Sequence, residues 1–321
     1  MKRKSQSTAS AIITADIELR IHPPVARTDN YWEALKRKIK WLSELQQKYN
    51  CPIFDGGDLF DKRYKQSPSH FLLQWAIRNL PKLFFTVPGN HDLPGKSIEN
   101  YSNSAMAALE AAGTVYSITG CWDSFADIRN KSAFIHRIPY GQALEEPKEM
   151  PESDYKVLLF HGMVYDNTPP FPGCEGWEKK EVLKKFPNFD LIVTGDNHQT
   201  FTGKRGKTLL VNAGSMMRND ADQIDHKPCV FLWYPEENRV EPRYYPIEQN
   251  VLSREHIDKQ VDKENRISAF VEKLGQQVVD GINFEKNLEQ WLLKNNVNER
   301  IVKKVWSYYD NTKGIETNFT L

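Results

Sequence analysis

Five short apolar runs in this chain each stop on residues that can bind a metal ion, and that recurrence constrains the fold more than any other feature. Residues 11–15 end at Asp16, and residues 51–54 lead through Asp55-Gly56-Gly57 to Asp58. Residues 83–87 run into Pro88-Gly89-Asn90-His91-Asp92, residues 156–160 end at His161, and residues 190–194 run into Gly195-Asp196-Asn197-His198. Short apolar runs closed by Gly, Pro and Asp read as buried strands. Ligands of open α/β sheets bind outside the carboxyl ends of the strands. One such ending is chance; five imply a shared rim where the side chains converge. A pair of divalent cations about 4 Å apart needs a bridging carboxylate and a few further ligands on each ion, and this inventory is about that size.

The segments between the runs read as helices, which makes the chain α/β. Residues 31–49 place Leu35, Ile39, Leu42 and Leu45 on one face, with Lys36, Arg37, Lys38 and Lys40 mostly on a solvated one. Residues 69–79 form a second helix, residues 103–112 a third closed by Gly113, and residues 179–185 a short fourth. Residues 115–118 and 132–135 look β-like, and residues 208–212, 229–234 and 239–245 look like strands of a second sheet. Beyond residue 250 the chain turns polar and helical. Apolar stripes there are Ile267, Phe270, Val271 and Leu274; Phe284, Leu288, Trp291 and Leu292; and Ile301, Val302, Val305 and Trp306. The expected division is a catalytic domain over residues 1–250 and a helical accessory or capping segment over residues 251–321. Those helices offer a face for a protein partner or for self-association.

The net charge of +1 gives no global field toward nucleic acid or membrane. Cys51, Cys121, Cys174 and Cys229 are scattered without metal-ribbon spacing, which suits a reducing, cytoplasmic setting. Lys2, Arg3 and Lys4 precede an apolar run, but Asp16 and Glu18 cut it too short for a secretory signal. No stretch approaches the ~18 apolar residues of a membrane span.

Across residues 11–247 the order of these motifs resembles the calcineurin-like metallophosphoesterase superfamily, whose pattern runs DxH, GDxxD, GNH[DE], a lone His and GHxH. Gly57-Asp58-Leu59-Phe60-Asp61, followed by Pro68-Ser69, looks most like the Mre11/SbcD nuclease branch, and Asn212-Ala213-Gly214-Ser215 is similar to a turn that often follows the last motif. The resemblance implies a four-layer αββα sandwich of two mixed sheets with metals at one edge. By the same resemblance, Asp58 bridges both metals, Asp16 and His198 join it on the first, and Asn90, His161 and Asp196 join it on the second. His91 acts on the substrate, steered by Asp61. Two positions depart from the pattern. Asp16-Ile17-Glu18 stands where DxH is expected, and Gly195-Asp196-Asn197-His198 where GHxH is expected. Each replaces a histidine with a carboxylate that can still ligate. The harder, more anionic site favours Mn²⁺, with Mg²⁺, Fe or Zn²⁺ as alternatives.

Lys62, Arg63 and Lys65 follow Asp61 and read either as a solvated loop or as contacts to a phosphate backbone at the mouth of the site. Tyr165, Phe171 and Trp177 read either as stacking platforms for a base or as loop packing. Three functions remain open: a two-metal phosphodiesterase or nuclease acting on DNA, a phosphatase or small-molecule phosphodiesterase, and a non-enzymatic protein-binding module on an altered metal site. Retention of Asp58, Asp61, Asn90 and His91 argues against the last.

Overall fold

The computed structural model describes residues 8–61, 68–118, 123–255, 266–270 and 284–316. It divides into two compact units, Met1–Leu252 and Ser253–Leu321.

The first unit is built on two mixed sheets. In one, β1 (Ala11–Thr14) pairs in parallel with β2 (Ile53–Asp55), and β2 with β3 (Phe84–Phe85). The later strands β12 (Cys229–Tyr234) and β13 (Arg239–Tyr244) extend it antiparallel on the far side of β1. In the other sheet, β5 (Ser132–Ile138), β6 (Tyr155–His161), β9 (Leu191–Gly195) and β11 (Thr208–Asn212) run parallel. Antiparallel β4 (Asp123–Asp127) and β10 (Phe201–Arg205) form its edges. A two-stranded ribbon joins β7 (Val164–Tyr165) to β8 (Trp177–Glu178).

Alternation along the strands fixes the layers. Ala11 and Ile13 point into a core shared with Val157, Leu159, Leu191, Val193, Leu209 and Val211 of the second sheet. Ile12, one residue out of phase, faces the helical side with Ile53 and Phe84. There it meets Leu35, Ile39 and Leu42 of α1 (Tyr31–Tyr49), Leu72 and Ala76 of α2 (His70–Asn79), and Leu109 of α3 (Ala105–Ala111). On the opposite face, Leu158, Phe160, Ile192 and Leu210 pack on Val182 and Leu183 of α4 (Lys179–Lys185). Helix, sheet, sheet and helix therefore stack with three apolar cores between them. The central strands bury both faces, which is why their sequences are continuous apolar runs.

The helices start where their caps stand. Asn30 accepts from Glu33 N, and Ser69 from Leu72 N, each satisfying an orphan amide. One helical residue departs from expectation. Lys38 is buried against the sheet, and its ammonium donates to the Met216 carbonyl at 2.7 Å. The long alkyl stem fills the core while the tip finds a carbonyl.

Three assignments change at the sheet level. Residues 208–212 belong with β9, whereas residues 229–234 pair with β1 and residues 239–244 with residues 229–234, so these strands are divided between the two sheets. Residues 115–118 form only a bridge, Tyr116 to Phe85. The polar edge strands β4 and β10 were not expected.

The two sheets close on each other at the carboxyl ends of β2 and β9. A Cβ on Gly56 would lie 2.5 Å from the Thr194 carbonyl oxygen, and one on Gly195 would lie 2.5 Å from that of Gly56. Only glycine allows this backbone approach, and it brings the two rims together.

In the second unit, α5 (Phe284–Lys294) and α6 (Glu299–Glu316) bury Leu288, Leu292 and Val305 between them, with Val297, Val302 and Trp306 alongside. Trp291 and Ile301 of the expected stripes remain exposed.

Candidate metal centre

The parallel strands of both sheets deliver their loops to one rim. Asp16 lies just past β1 and Asp58 just past β2, Asn90 and His91 occupy the turn after β3, His161 ends β6, and Asp196 and His198 follow β9. The loops after β1 and β2 continue the parallel pairing: Asp16 N donates to Gly57 O at 3.0 Å, Glu18 N to Asp58 O at 3.0 Å, and Leu19 N to Leu59 O at 2.8 Å. Within this frame Asp16, Glu18, Asp58 and Asp196 have φ of 47°, 49°, 54° and 79°. Left-handed backbone costs a residue with a Cβ about 1–2 kcal/mol. The surrounding hydrogen bonds impose it here, and such strain gathers at functional sites.

Around His161 the donors converge. Its Nδ1–H donates to the Gly56 carbonyl at 2.7 Å, which leaves Nε2 as the lone-pair nitrogen of the neutral ring. That nitrogen lies 3.1 Å from Asn90 Oδ1, 3.3 Å from Asp58 Oδ2 and 4.0 Å from Asp196 Oδ1. A lone pair facing three oxygens is repelled unless a proton or a cation lies between them. Ligands at right angles around one small divalent ion sit about 3 Å apart, and opposite ones about 4 Å.

A second group gathers around Glu18. Its Oε1 lies 3.5 Å from His91 Nδ1 and 3.7 Å from His198 Nε2. His91 Nδ1 is also 3.8 Å from Asp58 Oδ2, and the His91 amide donates to Asp58 Oδ1 at 2.9 Å. Asp16 Oδ1 accepts from the Asp196 amide at 3.0 Å, while its buried Oδ2 has no hydrogen-bond partner. Ligand atoms of Asp16, Asp58 and His161 lie within 4.8 Å of one another, as do those of Glu18, Asp61 and His91. Asp61 is therefore close to His91, and it is also paired with Arg20 at 2.5 Å.

The electrostatics demand positive charge. Burial pushes Glu18 up to about 8 and Asp16 up to about 6, and it raises Asp196 as well. Burial would raise Asp58 too, but the His161 imidazole and the His91 amide hold it below the usual carboxylate value. His161 rises well above its ordinary value despite burial, because Asp58, Asp16 and Asp196 favour its charged form. His198 rises for the same kind of reason beside Glu18 and Asp16. His91 is lowered by burial, in spite of Asp58 and Asp61. A packed set of carboxylates and imidazoles, with one carboxylate oxygen left without a partner, fits a pair of divalent cations.

The calcineurin-like phosphoesterase family model matches residues 12–200. The chain belongs to that family. No curated protein matches it. Several solved structures are similar to it at low identity. An archaeal phosphodiesterase is 12% identical with a TM-score of 0.38, covering 73% of this chain and 98% of its own. The 5′-nucleotidase precursor of Thermus thermophilus is 12% identical with a TM-score of 0.46, covering 82% of this chain and 59% of its own. The NAD nucleotidase of Haemophilus influenzae is 10% identical with a TM-score of 0.44, covering 73% of this chain and 55% of its own. At these values the likenesses say nothing about substrate. Membership makes this calcineurin-like phosphoesterase one of a family of phosphoester hydrolases that use a dinuclear metal centre.

All seven proposed ligands, together with Asp61 and His91, meet at this rim. Lys62, Arg63 and Lys65 lie outside the described residues. Trp177 packs its ring on Phe160, with centroids 5.3 Å apart, whereas Phe171 stays exposed. An open cavity of about 450 Å³ lies beside Asp196 and His198, walled in part by Met163, Phe171, Asp220 and Asp222.

Sequence reasoning gave no role to several buried residues that hold the rim. Asp92 accepts from Gly89 N at 3.0 Å, Phe60 N at 3.0 Å and Leu59 N at 3.2 Å, tying the loop after β3 to the loop after β2. Asp55 accepts from Thr86 Oγ1 at 2.6 Å and from Gly57 N at 3.1 Å. Asn212 donates to the carbonyls of Asn197 and Gln199 at 2.6 and 2.7 Å, fixing the loop that carries His198. Position within the motifs was the available signal for Asp55, Asp92 and Asn212. Nothing in the sequence marked Arg20 or Asn219.

No helix among the described residues is long and apolar enough to cross a membrane.

Proposed function

We propose that this phosphoesterase is a dinuclear, Mn²⁺-favouring phosphodiesterase, and that nucleic-acid diesters are among its substrates. The observation that carries the reading is Asp58. One of its oxygens faces His161 and His91 at 3.3 and 3.8 Å, and the carboxylate lies between the two donor groups. Asp16, Glu18 and His198 would hold one cation with Asp58, and Asn90, His161 and Asp196 the other. When bound, such a pair supplies the Lewis acidity that polarises phosphoryl oxygens and lowers the pKa of water.

The chain's own residues then do the rest. Asp58 keeps both halves of the site in register through the His91 amide. His91 stands at the rim with 17% of its side chain exposed, where its protonated ring can deliver a proton to the departing oxygen. The Arg20–Asp61 pair braces the loop beneath it. The cavity beside His198 gives space for the part of a diester that does not react. The nuclease reading draws its support from the Gly57-Asp58-Leu59-Phe60-Asp61 motif.

A substrate panel tests this with Mn²⁺: linear single- and double-stranded DNA, bis-p-nitrophenyl phosphate and p-nitrophenyl phosphate. The reading predicts hydrolysis of the diesters and of DNA. Hydrolysis of the monoester alone would move the function to a phosphatase, and cleavage of the nitrophenyl diester without DNA would remove the nuclease arm.

A further inference from the structure

We infer that Asn219, held by Tyr31, is a positioning residue that turns one oxygen of Glu18 into the cation site. The inference rests on the dinuclear reading above and concerns the position where this chain departs most from its family's first motif. A glutamate there is longer than the expected histidine and has more rotatable bonds, so its carboxylate needs an external hold to present a fixed ligand atom.

The hold is visible and buried. Glu18, Asn219 and Tyr31 are 4%, 4% and 1% exposed. Asn219 Nδ2 donates to Glu18 Oε2. The Tyr31 hydroxyl donates to Asn219 Oδ1 at 3.1 Å. A carboxamide has one accepting end and one donating end. With its oxygen taken by the tyrosine, its NH₂ must face the carboxylate; the flipped amide would set oxygen against oxygen. Oε2 being so occupied, Oε1 is left to face His91 and His198 at 3.5 and 3.7 Å.

The relay is itself braced. Asn219 N donates to Gln223 Oε1 at 2.6 Å, and the Arg27 guanidinium donates to the Arg218 carbonyl at 3.0 Å. Arg20 and Arg27 lie 5.8 and 5.2 Å from the centre of the Tyr31 ring. A network satisfied at each step holds a ligand in one rotamer, and partners of this kind are typically worth ~10–100-fold in metal affinity.

The test is calorimetric titration of the metal-stripped full chain with Mn²⁺, alongside thermal melts of the metal-free protein. Asn219→Ala should weaken one of the two Mn²⁺ equivalents ~10–100-fold and leave the other near its wild-type affinity. Tyr31→Phe removes one oxygen atom and should weaken the same equivalent; it carries the test if Asn219→Ala does not fold. In a Glu18→Ala background Asn219→Ala should add no further loss, as two residues acting through one contact require. Wild-type Mn²⁺ affinity in both single variants, whatever happens to the melting temperature, would overturn the inference and reduce Asn219 to a structural role. An equal loss with and without Glu18 would overturn it as well. A wild-type chain that binds no Mn²⁺ would remove the dinuclear reading and this inference with it, an outcome distinct from the other two.

Discussion

Gly89→Ala places a single methyl group against the carboxylate proposed to bridge the metals. A Cβ on Gly89 would lie 2.0 Å from Asp58 Oδ1 and 2.7 Å from both Asp58 Cγ and the Asp58 backbone nitrogen. Rotation of the Asp58 side chain relieves the first two contacts but not the third. Gly89 cannot retreat easily, because its N–H donates to the buried Asp92 at 3.0 Å. Asp58 must therefore leave its place. Overpacking of this kind costs ~1–3 kcal/mol. At 2–4 °C per kcal/mol for a domain of this size, the metal-free melting temperature should fall by roughly 2–12 °C. Displacing a ligand shared by both cations should weaken each by at least the ~10–100-fold that an outer partner is worth. Thermal melts with and without Mn²⁺, together with calorimetric titration, measure both effects. Gly141→Ala is the control. Its φ is +77° and no atom lies within 4 Å of the added Cβ, so it should strain the backbone and leave Mn²⁺ binding intact. Two Mn²⁺ bound by Gly89→Ala at wild-type affinity would refute the placement of Asp58 between the metals.

Other consequences follow from single residues. His91→Ala should keep both Mn²⁺ ions and lose ~10²–10⁴-fold in diester hydrolysis, less for a nitrophenyl ester than for DNA because a good leaving group hardly needs a proton; equal losses on both would contradict proton donation. Arg20→Met should cost ~3–5 kcal/mol of stability in denaturant melts, because it leaves the Asp61 carboxylate buried without its arginine; a change under 1 kcal/mol would count against the pair. Burial lowers Lys38 from 10.5 to about 7. Between those values the unfolded chain holds a proton that the folded chain lacks, so this group makes stability rise with pH by roughly 1 kcal/mol per unit. Lys38→Met should flatten that slope in denaturant melts from pH 7 to 9, and parallel slopes would show that the amine titrates normally.

What could be read in the sequence was whatever local pattern determines. The helix over residues 31–49 declared itself by an apolar stripe, and the central strands by runs that end in metal-competent residues. Which sheet each late strand joins was not local. β11, β12 and β13 follow one another closely, yet the first pairs with β9 and the other two extend from β1. Nothing in three apolar or mixed runs specifies that split. The edge strands β4 and β10 hid because an edge is half solvated: Asp123–Asp127 reads DSFAD and Phe201–Arg205 reads FTGKR. Lys38 was placed on the solvated face from its charge, whereas its stem fills the core. At the rim, the residues now brought together were each visible as the end of a strand. The residues that hold them were not, because their role exists only across the fold. Asn219 stands 201 positions from Glu18, and Arg20 is an ordinary arginine until Asp61 is folded against it.

The most direct test of the central claim is the metal content of the purified chain after reconstitution with Mn²⁺, measured by elemental analysis beside Asp58→Asn. The account predicts two Mn²⁺ per wild-type chain and none in the variant, with hydrolysis lost in step. A wild-type chain that holds no metal, or an Asp58→Asn chain that keeps both ions, would contradict it.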